Sequence, residues 1–232
     1  MDTTIRLIEA ITKLLGVLAW PAVVVFVLVR FGSSLREFIS GVGEFSLKGA
    51  GFEASAKRKQ AQAAEALAAA VASRPGGDPD ARRFAKDPRA AAGVIAEVAP
   101  LRVIRRAAGS TVLWVDDRPH NNIYERRALE ALGVSFVLAL STEEALEKVG
   151  QQRFDLIISD MGRPTDALAG YTLLDKLRAT GETTPFVIYA SSREPEHQAE
   201  SKRHGAIGCT NRADELLEMV LGALGLCKRE HR

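Results

Sequence analysis

From residue 111 onward the chain alternates short apolar runs with longer amphipathic ones. Thr111-Val112-Leu113-Trp114-Val115 and Leu156-Ile157-Ile158-Ser159 are continuous apolar stretches of the kind that form strands buried on both faces. Strands are predicted near 111–115, 134–139, 154–159, 185–190 and 206–209, and helices near 120–132, 142–150, 170–180, 195–204 and 212–224. Ser141 followed by Glu144 reads as a capping box opening the second of these helices. Five βα repeats in a row imply an α/β fold, with one parallel sheet and helices on both faces.

The first hundred residues follow another pattern. Leu14 to Val29 carries no charge, Ile11, Thr12 and Phe31 extend it, and Lys13 and Arg30 flank it. This approaches the ~20 residues a bilayer span needs, and no polar stripe marks it as a core helix. Pro21 is tolerable in such a span. Arg30-Phe31-Gly32 offers no small-x-small cleavage site, so an uncleaved anchor is expected rather than a signal peptide. Arg6 and Lys13 precede it, while Arg30, Arg36, Lys48, Lys57, Arg58 and Lys59 follow, which places the C-terminal bulk in the cytoplasm of a single-pass protein, as in a bacterial inner membrane.

Glu44 to Glu53 alternates around Gly-x-Gly and suggests a small hairpin, with an irregular linker as the alternative. An Ala-rich helix is expected from about Ala54 to Ser73, with the Lys57-Arg58-Lys59 cluster as a solvated helix end. Arg74-Pro75-Gly76-Gly77-Asp78-Pro79 then breaks it, and Asp87-Pro88 opens a second helical region running to about Val98. The chain thus divides into an anchor over 1–34, a juxtamembrane segment and helical linker over 35–108, and an α/β domain over 109–232.

Lys+Arg 31 against Asp+Glu 29 leaves a net charge of +2, without the basic field that nucleic-acid binding needs, so no nucleic-acid partner is expected. Cys209 and Cys227 have neither metal-ligand spacing nor a disulfide framework and read as inert packing thiols.

The chemistry is expected where the strands end. Asp116-Asp117 follows the first strand and Asp160 the third, and in open α/β sheets ligands bind beyond the carboxyl ends of the strands. If both strands are central, the three carboxylates meet. Such crowding is most easily explained by a hard divalent cation.

Taken with Pro164 four residues after Asp160 and with Gly205-Ala206 before the fifth strand, these residues resemble the response-regulator receiver domain over about Thr111 to Gly225. The resemblance implies a flavodoxin-like sheet of order 2-1-3-4-5, Asp160 as phosphoacceptor, and Mg²⁺ held by Asp116, Asp117, Asp160 and the backbone carbonyl of Gly162. It implies a histidine kinase or another phosphodonor as partner. Asp116 would then act as outer support beside Asp117 and Asp160.

The departures from that pattern are specific. The hydroxyl position at the end of strand four falls on Ala190, with Ser191 and Ser192 just beyond. The lysine position falls on Arg212, and the switch aromatic on Cys209. The loop from Pro164 to Gly170 is about two residues longer than usual. Ser191 and Arg212 are therefore the expected phosphoryl-binding residues, and Ala190 and Cys209 the altered switch positions. His120 and His197 are expected to face solvent, Arg163 and Arg193 to be surface charges, and Trp114 and Tyr189 to serve packing.

The resulting expectation is a membrane-anchored, non-enzymatic two-component signalling protein whose phosphorylation changes contacts with a protein partner, with a second copy, or with the membrane segment. The final helix and strand five would form the docking face. The alternatives are an unphosphorylated scaffold and a metal-dependent phosphohydrolase. A dehalogenase-type Asp-x-Asp is excluded by Arg118, and the Glu and later Asp-x-Asp of a toprim nuclease are not found.

Overall fold

A computed structural model describes residues 51–73, 86–190 and 195–227. The expected span from Leu14 to Val29, the hinge at Arg74–Pro79, Ser191, Ser192 and Arg193 lie outside the described residues. Among the described residues no helix is long and apolar enough to cross a membrane.

The helices are α1 (51–73), α2 (Pro88–Val98), α3 (Leu101–Ala107), α4 (Ile123–Ala131), α5 (Thr142–Gln151), α6 (Ala169–Ala179), α7 (Pro195–Arg203) and α8 (Ala213–Cys227). The strands are β1 (Thr111–Val115), β2 (Ser135–Ala139), β3 (Leu156–Ser159), β4 (Phe186–Tyr189) and β5 (Gly208–Thr210). All five strands pair in parallel in the order β2-β1-β3-β4-β5, the flavodoxin-like order expected. The predicted elements differ from the observed ones only at their ends. The fourth-helix region, for example, opens with a 3-10 turn at Pro119–Asn122 before α4 begins.

Strand alternation sorts the core into two layers. Leu113, Val115, Ile157, Phe186, Ile188 and Cys209 face α5 and α6, where they pack with Ala145, Tyr171, Leu173, Leu174 and Leu177. The intervening residues Val112, Trp114, Ile158, Val187 and Tyr189 are buried as well, as a sheet covered on both faces requires. Trp114 meets Phe136 and Tyr189 edge-on, at centroid distances of 5.7 and 6.0 Å. Gly133, at φ 100°, makes the left-handed turn from α4 into β2.

Two local expectations are corrected. The second arm proposed for a hairpin is helical, because α1 already begins at residue 51; residues 44–50 lie outside the described ones. The linker also contains α3, whose length of seven residues and Pro100 cap leave little periodicity in the sequence.

The compact unit that carries the sheet begins at Ala54, so the Ala-rich helices belong to it. Ala56, Ala63, Ala64, Leu67, Ala70 and Val71 form the buried stripe of α1. The Gln60 side-chain amide donates to the Ala99 carbonyl at 2.8 Å. Both α2 and α3 pack on α8, and Arg106 donates to the Gly225 carbonyl at 2.9 Å. Part of the final helix expected to dock a partner is therefore already covered by the chain's own linker.

Ile104, on α3, is fully buried. Ile104→Ala is expected to cost about 2–4 kcal/mol in urea denaturation. A loss below about 0.5 kcal/mol would mean that α3 is not part of the folded unit.

Candidate functional site

The site is built by strand register. β1 and β3 pair with Val115 opposite Ser159, so the residues that follow, Asp116 and Asp160, leave the sheet side by side. Two backbone bonds extend the ladder past the strands: Asp160 N–H donates to Val115 O at 3.0 Å, and Asp116 N–H to Ala139 O at 2.9 Å. Asp116, Asp117 and Asp160 each bring a carboxylate oxygen to within 4.8 Å of the others. The sheet corner thus gathers the three acids picked out by sequence.

The three environments differ. Asp116 is buried and accepts from the Arg118 backbone N–H at 2.7 Å and from the Asn122 side-chain amide. These bonds leave it suited to orient its neighbours rather than to react. Asp117 is half-buried, with the Arg118 guanidinium at 3.6 Å. Asp160 is the unsatisfied member. Its side chain is 15% exposed, and its Oδ1 is buried and accepts no directed hydrogen bond. Burial, reinforced by Asp116 and Asp117 and opposed by Arg163, pushes its carboxyl up to about 7.

Arg163 corrects the reading of a surface charge. Its side chain is only 4% exposed and runs inward beneath Asp160, with Nη2 2.9 Å from Asp160 Oδ1 as an ion pair. The guanidinium also donates to Thr142 Oγ1 at 2.8 Å and to Ser159 Oγ at 2.6 Å, with Val115 O at 3.5 Å. The loop that sends it inward is closed by reciprocal backbone bonds between Arg163 and Asp166. Asp166 accepts from Leu168 N–H at 2.8 Å and Thr172 Oγ1 at 2.6 Å. These bonds, the Thr172 hydroxyl foremost, hold its carboxyl below the usual range. The longer loop expected from the sequence is therefore tied down.

The remaining predicted positions divide. Arg212 forks onto Asp214, with Nε to Oδ1 at 3.1 Å and Nη2 to Oδ2 at 2.6 Å, and lies 3.4 Å from Glu215. Ala190 follows β4 and donates its N–H to Thr210 O at 3.0 Å, offering no hydroxyl. Cys209 lies in the core, where burial pushes its thiol up to about 11, so it is inert as expected. Gly162 lies two residues beyond Asp160 on the same loop. His120 and His197 are exposed. Tyr189, expected only to pack, also donates its hydroxyl to fully buried Glu125 at 2.9 Å.

Sequence reasoning missed Asn122 and Glu125 and misread Arg163. Asn122 was findable as an amide opening the helix just after the acidic pair. Arg163 carried no periodic signal, because its burial depends on the path of a loop.

An all-oxygen, anionic donor set with one buried oxygen lacking a directed hydrogen bond fits a hard divalent cation such as Mg²⁺. Asp117 and Asp160 are the less buried carboxylates that could hold it, with Asp116 and Asn122 behind them.

The model of the family described as the response regulator receiver domain matches residues 112–220. The sensor protein EvgS of Escherichia coli K12 is 35% identical over 76 residues, a match covering 33% of this chain and 6% of that protein. The gliding motility regulatory protein of Myxococcus xanthus is 35% identical over 97 residues, 41% of this chain and 12% of that one. The chain thus spans only a small part of these relatives. Among solved structures, the receiver domain of Francisella response regulator 1452 is 23% identical with a TM-score of 0.46, covering 52% of this chain and all of that one. The chemotaxis regulator CheY4 of Vibrio cholerae is 28% identical with a TM-score of 0.43, covering 50% and 98%.

Two outcomes test this geometry. A Cβ on Gly170 would stand 2.6 Å from the Asp160 carbonyl, a clash with backbone that no rotamer relieves. Gly170→Ala is expected to destabilise the fold by about 2 kcal/mol or more, read by urea denaturation.

Asp160 provides the second. Its carboxyl binds a proton more tightly folded than unfolded (~3.9), so this group's contribution to stability falls as pH rises from about 4 to 7. Without divalent metal, Asp160→Asn is expected to raise the melting temperature at pH 7.5 and to change it less at pH 4.5. An equal shift at both values would refute the assigned environment.

Proposed function

Residues 112–220 belong to the response regulator receiver family, and from that premise we propose that this chain is a signalling module that accepts a phosphoryl group on Asp160. The observation that carries the reading is the meeting of Asp116, Asp117 and Asp160 at the carboxyl ends of adjacent central strands. One Asp160 oxygen forms a bond to phosphorus as the donor's own bond to phosphorus breaks. The donor leaves as a histidine imidazole, which takes a proton from solvent, or as a carboxylate when the donor is an acyl phosphate.

A carboxylate approaching a phosphoryl group meets charge repulsion, and Mg²⁺ supplies the neutralising charge. Asp117, Asp160 and the Gly162 carbonyl would hold the ion, with Asp116 orienting them. Asp160 must be ionised to act, and its raised pKa means that metal binding near neutral pH displaces a proton. Phosphoryl oxygens would be met by Ser191 and by Arg212, the latter only by adjusting its fork on Asp214. With Ala190 and Cys209 at the switch positions, a hydroxyl-and-aromatic relay is not available. The consequence of phosphorylation is carried by charge and by helix contacts instead.

The same reading places the receiver on the cytoplasmic side of a bacterial inner membrane, tethered by the single span over Leu14–Val29. It receives phosphate from a histidine kinase or another donor and acts on a protein partner or a second copy. The support for the tether is the uncharged run and its flanking Lys and Arg residues.

Incubation of the full chain with Mg²⁺ and acetyl phosphate is expected to add one phosphoryl group by intact mass, and Asp160→Asn to abolish the gain. No gain in the wild type at millimolar Mg²⁺ would overturn phosphoacceptance and leave an unphosphorylated scaffold.

A further inference from the structure

We propose that Arg163 is a built-in counter-cation for Asp160 that competes with the divalent metal, and that this competition is passed to α5 through Thr142. The inference rests on the metal reading above but concerns a residue which that reading does not use.

Three features carry it. The guanidinium is buried and reaches three separate elements: Thr142 Oγ1 on the first residue of α5 at 2.8 Å, Ser159 Oγ on β3 at 2.6 Å, and the Val115 carbonyl ending β1 at 3.5 Å. A cation sunk there from a loop is costly unless it is paired, and the acid in ion-pair contact with it is Asp160, at 2.9 Å, with Glu143 and Asp166 adding weaker attraction. The pairing is also incomplete. Arg163 Nε is buried with no acceptor among the described residues, and Asp160 Oδ1 is buried with no directed donor. A poorly aligned Nη2–Oδ1 pair at 2.9 Å, beside a buried Nε lacking an acceptor among the described residues, marks a contact held more by charge than by shape, one that rearranges readily when the charge changes.

A metal held by Asp117 and Asp160 would take over the neutralisation that Arg163 provides. Two cationic centres then flank Asp160, so Arg163 raises the metal concentration needed to fill the site. Pushed from Asp160, the guanidinium keeps its bonds to Thr142 and Ser159, and Thr142 hands the displacement to the first turn of α5. That turn is otherwise fixed by Ser141, which accepts from Glu144 N–H at 3.1 Å.

The test uses the full chain with Mn²⁺ as probe. Affinity is read from the electron paramagnetic resonance signal of the free ion, and the response of α5 from hydrogen exchange at amides 143–146 with and without Mn²⁺. Arg163→Met is expected to bind Mn²⁺ about fivefold or more tightly than wild type. Thr142→Val is expected to bind close to wild type while losing the metal-induced exchange change that wild type shows.

A smaller gain in Arg163→Met overturns the competition. An unchanged α5 response in Thr142→Val, or none in wild type, overturns the coupling. Equal binding in wild type and Arg163→Met sinks only this inference, whereas no binding in any variant sinks the metal reading with it. The Thr142→Val arm decides the coupling even where Arg163→Met fails to fold.

Discussion

The pairing of β1 with β3 is the constraint on which the rest depends. The observed register sets Val115 opposite Ser159, and it leaves Asp116 and Asp160 no choice but to emerge together. A slip of one residue would turn the apolar side chains of β1 to the wrong layer and separate the acids at the same time. Core packing and site assembly are therefore the same specification. The residues that fix register, Leu113, Val115, Ile157 and Ile158, are all fully buried.

That assembly has a cost. Three carboxylates within 4.8 Å repel by a few kcal/mol per pair at the dielectric of a half-buried site. The chain meets the cost unevenly. Asp116 is satisfied by a backbone N–H and an amide, Asp117 keeps contact with solvent and Arg118, and Asp160 is left to a buried guanidinium and to its own raised proton affinity. A site in which one oxygen is kept short of partners is prepared for a ligand that can serve it.

How much of this was legible in the sequence follows from what kind of force fixes each part. The sheet order and the acidic corner were legible because they depend on local signals, apolar runs of strand length ending in Asp, together with topology rules that leave few arrangements. Cys209 as an inert core thiol followed in the same way. Arg163 was misread because a loop residue has no period to betray its direction, and its burial is decided by the Arg163–Asp166 backbone bonds and by Thr142, which lies 21 residues earlier. Arg212 was reached by counting alone, and its fork on Asp214 depends on a neighbour that counting ignores. The α3 helix escaped because seven residues with a proline cap cannot show a helical stripe, and packing on α8 helps to hold it.

The linker helices change how output should be understood. A free final helix would be an open docking surface, yet here α2 and α3 lie on it and Arg106 reaches the carbonyl of Gly225 near its end. The stripe on α1 and the bond from Gln60 to Ala99 join the remaining described linker helix to the same packed unit. Because α8 touches β3, β4 and β5 as well as α2 and α3, a change at the sheet corner has a route to the residues preceding the sheet through α8 itself, without any second molecule. Displacing those helices exposes Ile95 and Ile104, each about 2 kcal/mol of buried apolar side chain, so any partner that takes their place on α8 must first supply at least that much contact. The arrangement favours signals that shift the linker as a body over signals that peel it away.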